Sequence, residues 1–169
     1  MTKRQQKIVT RLLEAHRRKP GTVAIALFGS LAKGTCRDTS DIDFEVIASD
    51  ADEWTLEKNE VDGIVVDLVR CPLAHFEQQV AAFPYLSFDY LSMKVLWDPS
   101  SIMRDAQINL RGYFEAHRHI AEYWEENLKT MTEKKRAGTH RMADIVEAYD
   151  RAERLFSQDG VIRRSFLRG

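Results

Sequence analysis

Cysteine is scarce in this sequence, because only Cys36 and Cys71 occur among its 169 residues. Neither stands in a CxxC pair or in the Cys/His spacing of a zinc ligand set. Two isolated cysteines do not form the disulfide framework of a small secreted domain, and they do not make a tetrahedral zinc site. The sequence therefore predicts a protein that depends neither on disulfide bonds nor on a zinc ion for its stability and chemistry.

Long hydrophobic runs are also absent, since no stretch reaches the roughly 18 apolar residues of a membrane-spanning helix. The basic start "MTKRQQKIVTRLLEAHRRKP" has no uninterrupted apolar segment of the kind found in a signal peptide. We therefore expect a cytoplasmic protein with no membrane partner. Its content of 44% hydrophobic and 30% charged residues is ordinary for one globular domain, with or without a small appendage.

Basic charge is scarce in the middle of the chain, although the formal net charge is only −1. Residues 1–20 contain seven Lys or Arg and one acid, whereas residues 21–103 contain five Lys or Arg and fourteen Asp or Glu. Such an acidic region repels nucleic acid, and a phosphate ligand there needs a divalent cation. Six of the acids stand in a polar, loop-like stretch and are expected to form a solvated face: Asp50, Asp52, Glu53, Glu57, Glu60 and Asp62.

A Lys-Ser/Thr pair is missing from the glycine-bearing turn "GSLAKGTC". Gly29 and Gly34 are separated by four residues, as in a P-loop, but Thr35 and Cys36 stand where that motif has its Lys and Ser/Thr. The turn is therefore not a Walker A site. A phosphate bound here must be held in another way.

Hydrophobic periodicity predicts helices and strands in alternation along the first part of the chain. A first helix is predicted over residues 3–18 and another over "LAHFEQQVAAF". Four strands are predicted at "TVAIALF", "DIDFEVIA", "GIVVDLVR" and "KVLW". After Ser101 we expect helix through Leu128, a break at "KKRAGT" and a second long helix up to Phe156.

Two carboxylates stand two residues apart in the second predicted strand. Side chains alternate along a strand, so Asp41 and Asp43 share one face, roughly 6.8 Å apart, while Ile42 and Phe44 occupy the other. An oxygen-only pair of this kind suits Mg²⁺, which recruits substrate phosphates for its remaining positions. For an isolated DxD pair, however, the more common explanation is a Ser40 cap with turn acids at a strand edge.

A third carboxylate, Asp67, lies in the apolar strand "GIVVDLVR". An ionised side chain among valines and leucines needs a partner, which is either a metal ion or an ion pair with Arg70 or Lys94. Beside Asp41 and Asp43 the metal is the favoured partner, since three carboxylates hold two ions about 3.5–4 Å apart for in-line phosphoryl displacement.

The stretch "FGSLAKGTCRDTSDIDFEV" resembles the signature of the nucleotidyltransferase superfamily related to DNA polymerase β: Gly-Ser, about ten residues, then Asp-x-Asp in a strand. The resemblance implies that Gly29 and Ser30 hold the triphosphate of ATP or another nucleoside triphosphate. It further implies that Asp41 and Asp43 ligate two Mg²⁺ ions and that Asp67 completes the catalytic site.

Within that resemblance we also assign Lys33 and Ser40 to the nucleotide, although turn lysines are usually just solvated. The small prokaryotic members are the most similar, namely the minimal enzymes of toxin–antitoxin pairs and the antibiotic nucleotidyltransferases. This similarity implies an α/β fold with a mixed-sheet catalytic domain in residues 1–100 and a helical hairpin in residues 101–169. The general base would be Asp67, or a carboxylate of the last helix: Asp144, Glu147 or Asp150.

The implied reaction transfers a nucleoside monophosphate, AMP from ATP, to a hydroxyl acceptor and releases pyrophosphate. The acceptor would be a small molecule such as an antibiotic, or a protein. The C-terminal helices are expected to pack on the sheet domain or on another chain, because two helices alone cannot bury their apolar stripes. That other chain would be a second copy in a homodimer or a helical partner protein. The alternative is a non-catalytic, antitoxin-like protein that only binds nucleotide.

Overall fold

In the computed structural model, residues 1–157 are described. The chain divides into two compact units. The first combines Met1–Gln78 with Asp89–Ile108, and the second combines Gln79–Phe88 with the described residues 109–157.

A five-stranded sheet organises the first unit. Its strands are β1 (Thr22–Phe28), β2 (Ile42–Ala48), β3 (Thr55–Val61), β4 (Ile64–Pro72) and β5 (Lys94–Trp97). They lie in the order β3-β4-β2-β1-β5. Only the pairing of β2 with β4 is parallel, and the other three are antiparallel. The predicted α/β class with a mixed sheet is therefore confirmed.

Helices connect and cover these strands: α1 (Lys3–His16), a single turn α2 (Gly29–Ala32) and α3 (Leu73–Ala82). Helix α1 begins with a capping box, in which the side chains of Thr2 and Gln5 each bond the other's backbone N–H. The apolar side of α1 packs against the sheet in one core cluster. This cluster contains Ile8 of α1, Ile25 of β1 and Phe44 of β2, and each of these side chains is at most 1% exposed. The face of β2 that carries Phe44 is thus the buried face toward α1, as predicted.

Strand β3 corrects the prediction of a loop between the second and third expected strands. Five of its seven residues are exposed, so it has no apolar alternation. It forms a hairpin with β4 through Asp62 and Gly63, which both have positive φ angles, 51° and 67°. Two such residues are what a tight two-residue hairpin turn requires. Glu57 and Glu60 therefore lie in a strand rather than in a loop.

After Trp97 the described chain forms three helices, α4 (Ile102–Ala116), α5 (Arg118–Arg136) and α6 (Met142–Phe156). The single helix expected from Ser101 through Leu128 is interrupted at His117. The described chain therefore has three helices after Trp97, where two were predicted. Within the second unit, the Trp124 indole donates to the backbone oxygen of Tyr85 at 2.6 Å, and the Tyr123 hydroxyl donates to that of Ala148 at 2.6 Å. The aromatic residues of α5 therefore serve packing within this unit.

Both cysteines are free, with Cys36 half-buried and Cys71 buried. Burial raises the pKa of the Cys71 thiol to about 12, which makes it a poor nucleophile. In residues 1–157, none of the helices has the length and apolar character needed to cross a membrane.

Candidate active site

Three charged residues lie side by side across the strands at the centre of the site. The parallel register of β2 and β4 places Asp43 opposite Asp67, and the antiparallel register of β3 and β4 places Lys58 opposite Asp67. Paired residues of adjacent strands point to the same face, about 4.8 Å apart along the hydrogen-bonding direction. Lys58, Asp67 and Asp43 therefore form a row on one face of the sheet.

Lys58 is the ion-pair partner of Asp67. Its Nζ donates to Asp67 Oδ2 at 2.6 Å, and the lysine side chain is 64% exposed while the aspartate side chain is 17% exposed. The hydrogen bond to Asp67 raises the pKa of Lys58, and the charges of Asp41 and Asp43 act in the same direction. All three carboxylates thus act on one lysine.

The two ion-pair partners predicted for Asp67, Arg70 and Lys94, are wrong. Arg70 instead binds the Asp50 carboxylate, and Lys94 lies in β5, an edge strand three positions away from β4 in the sheet. The other oxygen of Asp67, Oδ1, is buried and has no hydrogen-bond partner.

Gly29 begins α2 directly after β1 and packs against Asp43. Its φ angle is +65°, in the left-handed region that favours glycine. A Cβ at this position would overlap the Asp43 carboxylate. The register explains the closeness, because Phe28, the last residue of β1, pairs with Asp43. Gly29 is therefore required both by its backbone conformation and by the carboxylate beside it.

The neighbouring turn residues have different environments. Ser30 follows Gly29 in the single turn α2 and is partly exposed, and Lys33 is exposed where that turn ends. The Ser40 hydroxyl accepts a hydrogen bond from the backbone N–H of Arg37 at 2.8 Å. In this structure Ser40 thus stabilises the turn that leads into β2.

Gln5 is a residue of this region that sequence reasoning missed. Its buried side-chain amide donates to the backbone oxygens of Arg37 and Ser40, at 3.0 and 3.1 Å. The first turn of α1 is thereby bonded to the loop that precedes Asp41. The Thr2 and Gln5 capping box is a visible sequence signal, but the long-range bonds to the loop are not.

Glu45 is a second missed carboxylate, two residues beyond Asp43 on the same face of β2. It is 6% exposed, and burial raises its pKa to about 7. In register it lies between Ala26 of β1 and Val69 of β4, so its surroundings in the sheet are apolar. The side chain is therefore partly protonated at neutral pH, unlike an ordinary glutamate.

The donors present are suited to a divalent cation that arrives with a phosphate ligand. Within residues 1–157, His, Cys, Asp and Glu side chains do not converge in threes into a preformed metal cluster. Asp41 is exposed and lies one residue before β2, whereas Asp43 and Asp67 are adjacent in register. Mg²⁺ is commonly held by one or two carboxylates and completed by substrate phosphates and water. Two aspartates adjacent in register fit that requirement.

The acids of α6 lie in the second unit. Lys134 and the backbone N–H of Arg141 both donate to the Asp144 carboxylate, and the Lys134 bond is the main cause of its lowered pKa. A lowered pKa makes a carboxylate a weaker proton acceptor. Glu147 and Asp150 are exposed on the same helix.

Comparison with one solved structure agrees with this fold. No curated protein sequence matches the chain. The fold is similar to that of a nucleotidyltransferase-like protein from Exiguobacterium sibiricum, at 14% identity and a TM-score of 0.51, over 86% of this chain and 52% of that one. The chain therefore spans about half the length of that protein. A toxin-antitoxin structure with AMP-PNP matches at 18% identity and a TM-score of 0.37, over 72% of this chain and 95% of that one.

The family comparison covers the site itself. The profile of the nucleotidyltransferase domain matches residues 9–95, a stretch that includes Gly29, Asp43, Lys58 and Asp67. This match spans just over half of the sequence, and the chain belongs to the nucleotidyltransferase domain family, a family of nucleotidyl-transferring enzymes.

Proposed function

We propose that this protein is a Mg²⁺-dependent nucleotidyltransferase that moves AMP from ATP to a hydroxyl acceptor and releases pyrophosphate. The observation that carries the proposal is the pairing of Asp43 with Asp67 in adjacent strands, beside a glycine turn packed on Asp43. Family membership supplies the reaction class. We place the protein in the cytoplasm, where ATP is available.

The triphosphate is assigned to the turn after β1. Gly29 has no side chain, so a phosphate group can approach the backbone closely. The Ser30 hydroxyl donates to a phosphate oxygen, and the exposed Lys33 ammonium offsets part of the triphosphate charge. Ser40 contributes to nucleotide binding indirectly, because its hydrogen bond from the Arg37 N–H holds the turn that leads into β2.

Asp43 and Asp67 would hold Mg²⁺, and the exposed Asp41 would complete the ligand set for the two ions that accompany the nucleotide. Bound Mg²⁺ offsets the negative charge of the reacting phosphates. The carboxylates orient the triphosphate so that the α-phosphorus faces the acceptor, and this positioning lowers the barrier to reaction.

The transfer is an in-line displacement at the α-phosphorus. The acceptor oxygen forms a bond to phosphorus, and the bond from phosphorus to the pyrophosphate oxygen breaks. The acceptor hydroxyl loses its proton to Asp67, whose Oδ1 has no other hydrogen-bond partner. Pyrophosphate leaves with the electron pair of the broken phosphorus–oxygen bond.

The proposed protein partner, a second copy of the chain or a helical protein, would contact α6. This helix exposes three large apolar side chains, Met142, Val146 and Leu155, by 71%, 52% and 50%. Light scattering coupled to gel filtration tests the homodimer, and a monomer at micromolar concentration would leave the helical partner protein as the remaining candidate.

Labelled ATP tests the reaction. The protein is incubated with ATP labelled at the α-phosphate, Mg²⁺ and a panel of aminoglycosides, other hydroxyl compounds and co-purifying proteins, and pyrophosphate release is measured in parallel. We expect transfer by the natural protein and by the control Asp52→Asn, whose carboxylate is exposed in a loop. We expect none by Asp43→Asn, which should still melt cooperatively.

Two results would contradict the proposal. Transfer by Asp43→Asn at the natural rate would reject the assigned site. ATP binding without transfer or pyrophosphate release under any condition would instead indicate a nucleotide-binding partner protein without catalysis.

A further inference from the structure

Lys58 occupies a place in the site that the proposed reaction does not use. It projects from the edge strand β3, and its Nζ donates to Asp67 Oδ2 at 2.6 Å. Asp67 is in turn the in-register neighbour of Asp43. The ammonium charge of Lys58 is therefore in contact with a carboxylate that we assign as a metal ligand.

The ammonium and a divalent cation compete for Asp67 Oδ2, because the other carboxylate oxygen, Oδ1, is buried. A carboxylate oxygen that accepts a short hydrogen bond from an ammonium group is not available as a ligand, and a nearby positive charge repels a second cation. Lys58 also lies in the field of Asp41 and Asp43, so one lysine offsets charge from the whole carboxylate group. A metal ion that binds Asp67 Oδ2 therefore has to displace the Lys58 ammonium.

Displacement is feasible because Lys58 is mostly in water. Its side chain is 64% exposed, and four rotatable bonds let the ammonium move into solvent without unfolding β3. Exposed ion pairs are weak, so the lysine lowers metal affinity without closing the site.

We propose that Lys58 is a resident cation that competes with the divalent metal for Asp67, so that the metal binds tightly only together with a nucleotide. This inference rests on the proposed function, since it assumes that Asp43 and Asp67 are the metal ligands. The nucleotide shifts the competition because its phosphate oxygens add ligands that the ammonium cannot match. In the absence of nucleotide, Lys58 offsets part of the negative charge of the carboxylates.

The test measures Mn²⁺ binding to the full chain without nucleotide, by calorimetry and by the electron paramagnetic resonance signal of free Mn²⁺. Lys58→Met removes the charge and keeps a similar length. Lys94→Met is the matched control, because Lys94 is an exposed lysine in the opposite edge strand of the same sheet. Lys58→Arg restores the charge, and Lys58→Gln replaces Lys58→Met if that variant does not melt cooperatively.

We expect Lys58→Met to bind Mn²⁺ about three- to tenfold more tightly than the natural protein. Lys94→Met and Lys58→Arg should bind as the natural protein does. Equal, weaker or undetectable Mn²⁺ binding by Lys58→Met would overturn the inference.

Asp43→Asn separates this inference from the proposed function. If Asp43→Asn abolishes Mn²⁺ binding but Lys58→Met does not strengthen it, the metal site stands and the role of Lys58 falls. If Asp43→Asn binds Mn²⁺ as tightly as the natural protein, the proposed metal site itself is wrong.

Discussion

Replacing Gly29 by Ala should both destabilise the fold and weaken nucleotide binding. Gly29 has a φ angle of +65°, and an L-residue in this region costs about 1–2 kcal/mol. The added methyl group would also overlap the Asp43 carboxylate, which has to rotate away. An off-rotamer side chain adds roughly 0.5–1.5 kcal/mol. We therefore expect Gly29→Ala to unfold with a free energy about 2–3 kcal/mol lower.

Gly34→Ala is the matched control in the same loop. Gly34 has a φ angle of +70°, and a Cβ there would have no atom within 4 Å. It shares the backbone cost of about 1–2 kcal/mol but leaves Asp43 in place. The difference between the two variants isolates the displacement of the carboxylate.

Urea unfolding gives the two stabilities, and fluorescence titration with a non-hydrolysable ATP analogue and Mg²⁺ gives the affinities. Gly29→Ala should bind the analogue at least roughly tenfold more weakly than Gly34→Ala, since loss of one charged ligand contributes more than about 1.4 kcal/mol. Equal affinities in the two variants would refute the role of Asp43 in nucleotide binding.

Three further changes have defined outcomes. Ser30→Ala should weaken nucleotide binding roughly ten- to hundredfold through loss of a hydrogen bond to a charged phosphate, and unchanged affinity in the same titration would contradict that role. Burial raises the pKa of Glu45 from 4.5 to about 7, so the contribution of Glu45 to folding stability should be fully present below pH 4.5, fall by roughly 3 kcal/mol as the pH rises to 7, and stay level above. In urea melts across this range Glu45→Gln should lose that component, and an unchanged pH profile would show that the carboxyl is not responsible. Gln5→Leu should lower the free energy of unfolding by about 1–3 kcal/mol because it removes the amide that donates to the backbone oxygens of Arg37 and Ser40, although the Arg37 oxygen keeps its bond from the Ser40 N–H. An unaltered urea midpoint would refute this role of the Gln5 amide.

Much of the fold is predictable because buried strands have apolar sequences. "TVAIALF" and "KVLW" match β1 and β5 in their bounds, since burial selects the same residues that favour strands. The break at His117 was missed because the apolar periodicity of α4 continues into α5 and no glycine or proline stands next to the break.

The carboxylates of the site were visible in the sequence, but the lysine beside them was not. Lys58 lies in a strand of mostly exposed residues, and such a strand has no periodic signal. The Asp62-Gly63 dipeptide is a hairpin signal that the prediction of a loop overlooked. A two-residue turn there pairs Val61 with Ile64, and counting outward pairs Lys58 with Asp67.

The exposed edge of the sheet has a consequence for solubility. Strand β3 ends the sheet on one side, and the backbone groups along its outer margin resemble those to which a strand of another molecule can add. The charged side chains Glu57, Lys58 and Glu60 stand along this strand. A second copy of β3 that added in parallel and in register would bring like charges against one another. The same charges that hide this strand from hydrophobic pattern analysis therefore protect the protein from edge-to-edge aggregation.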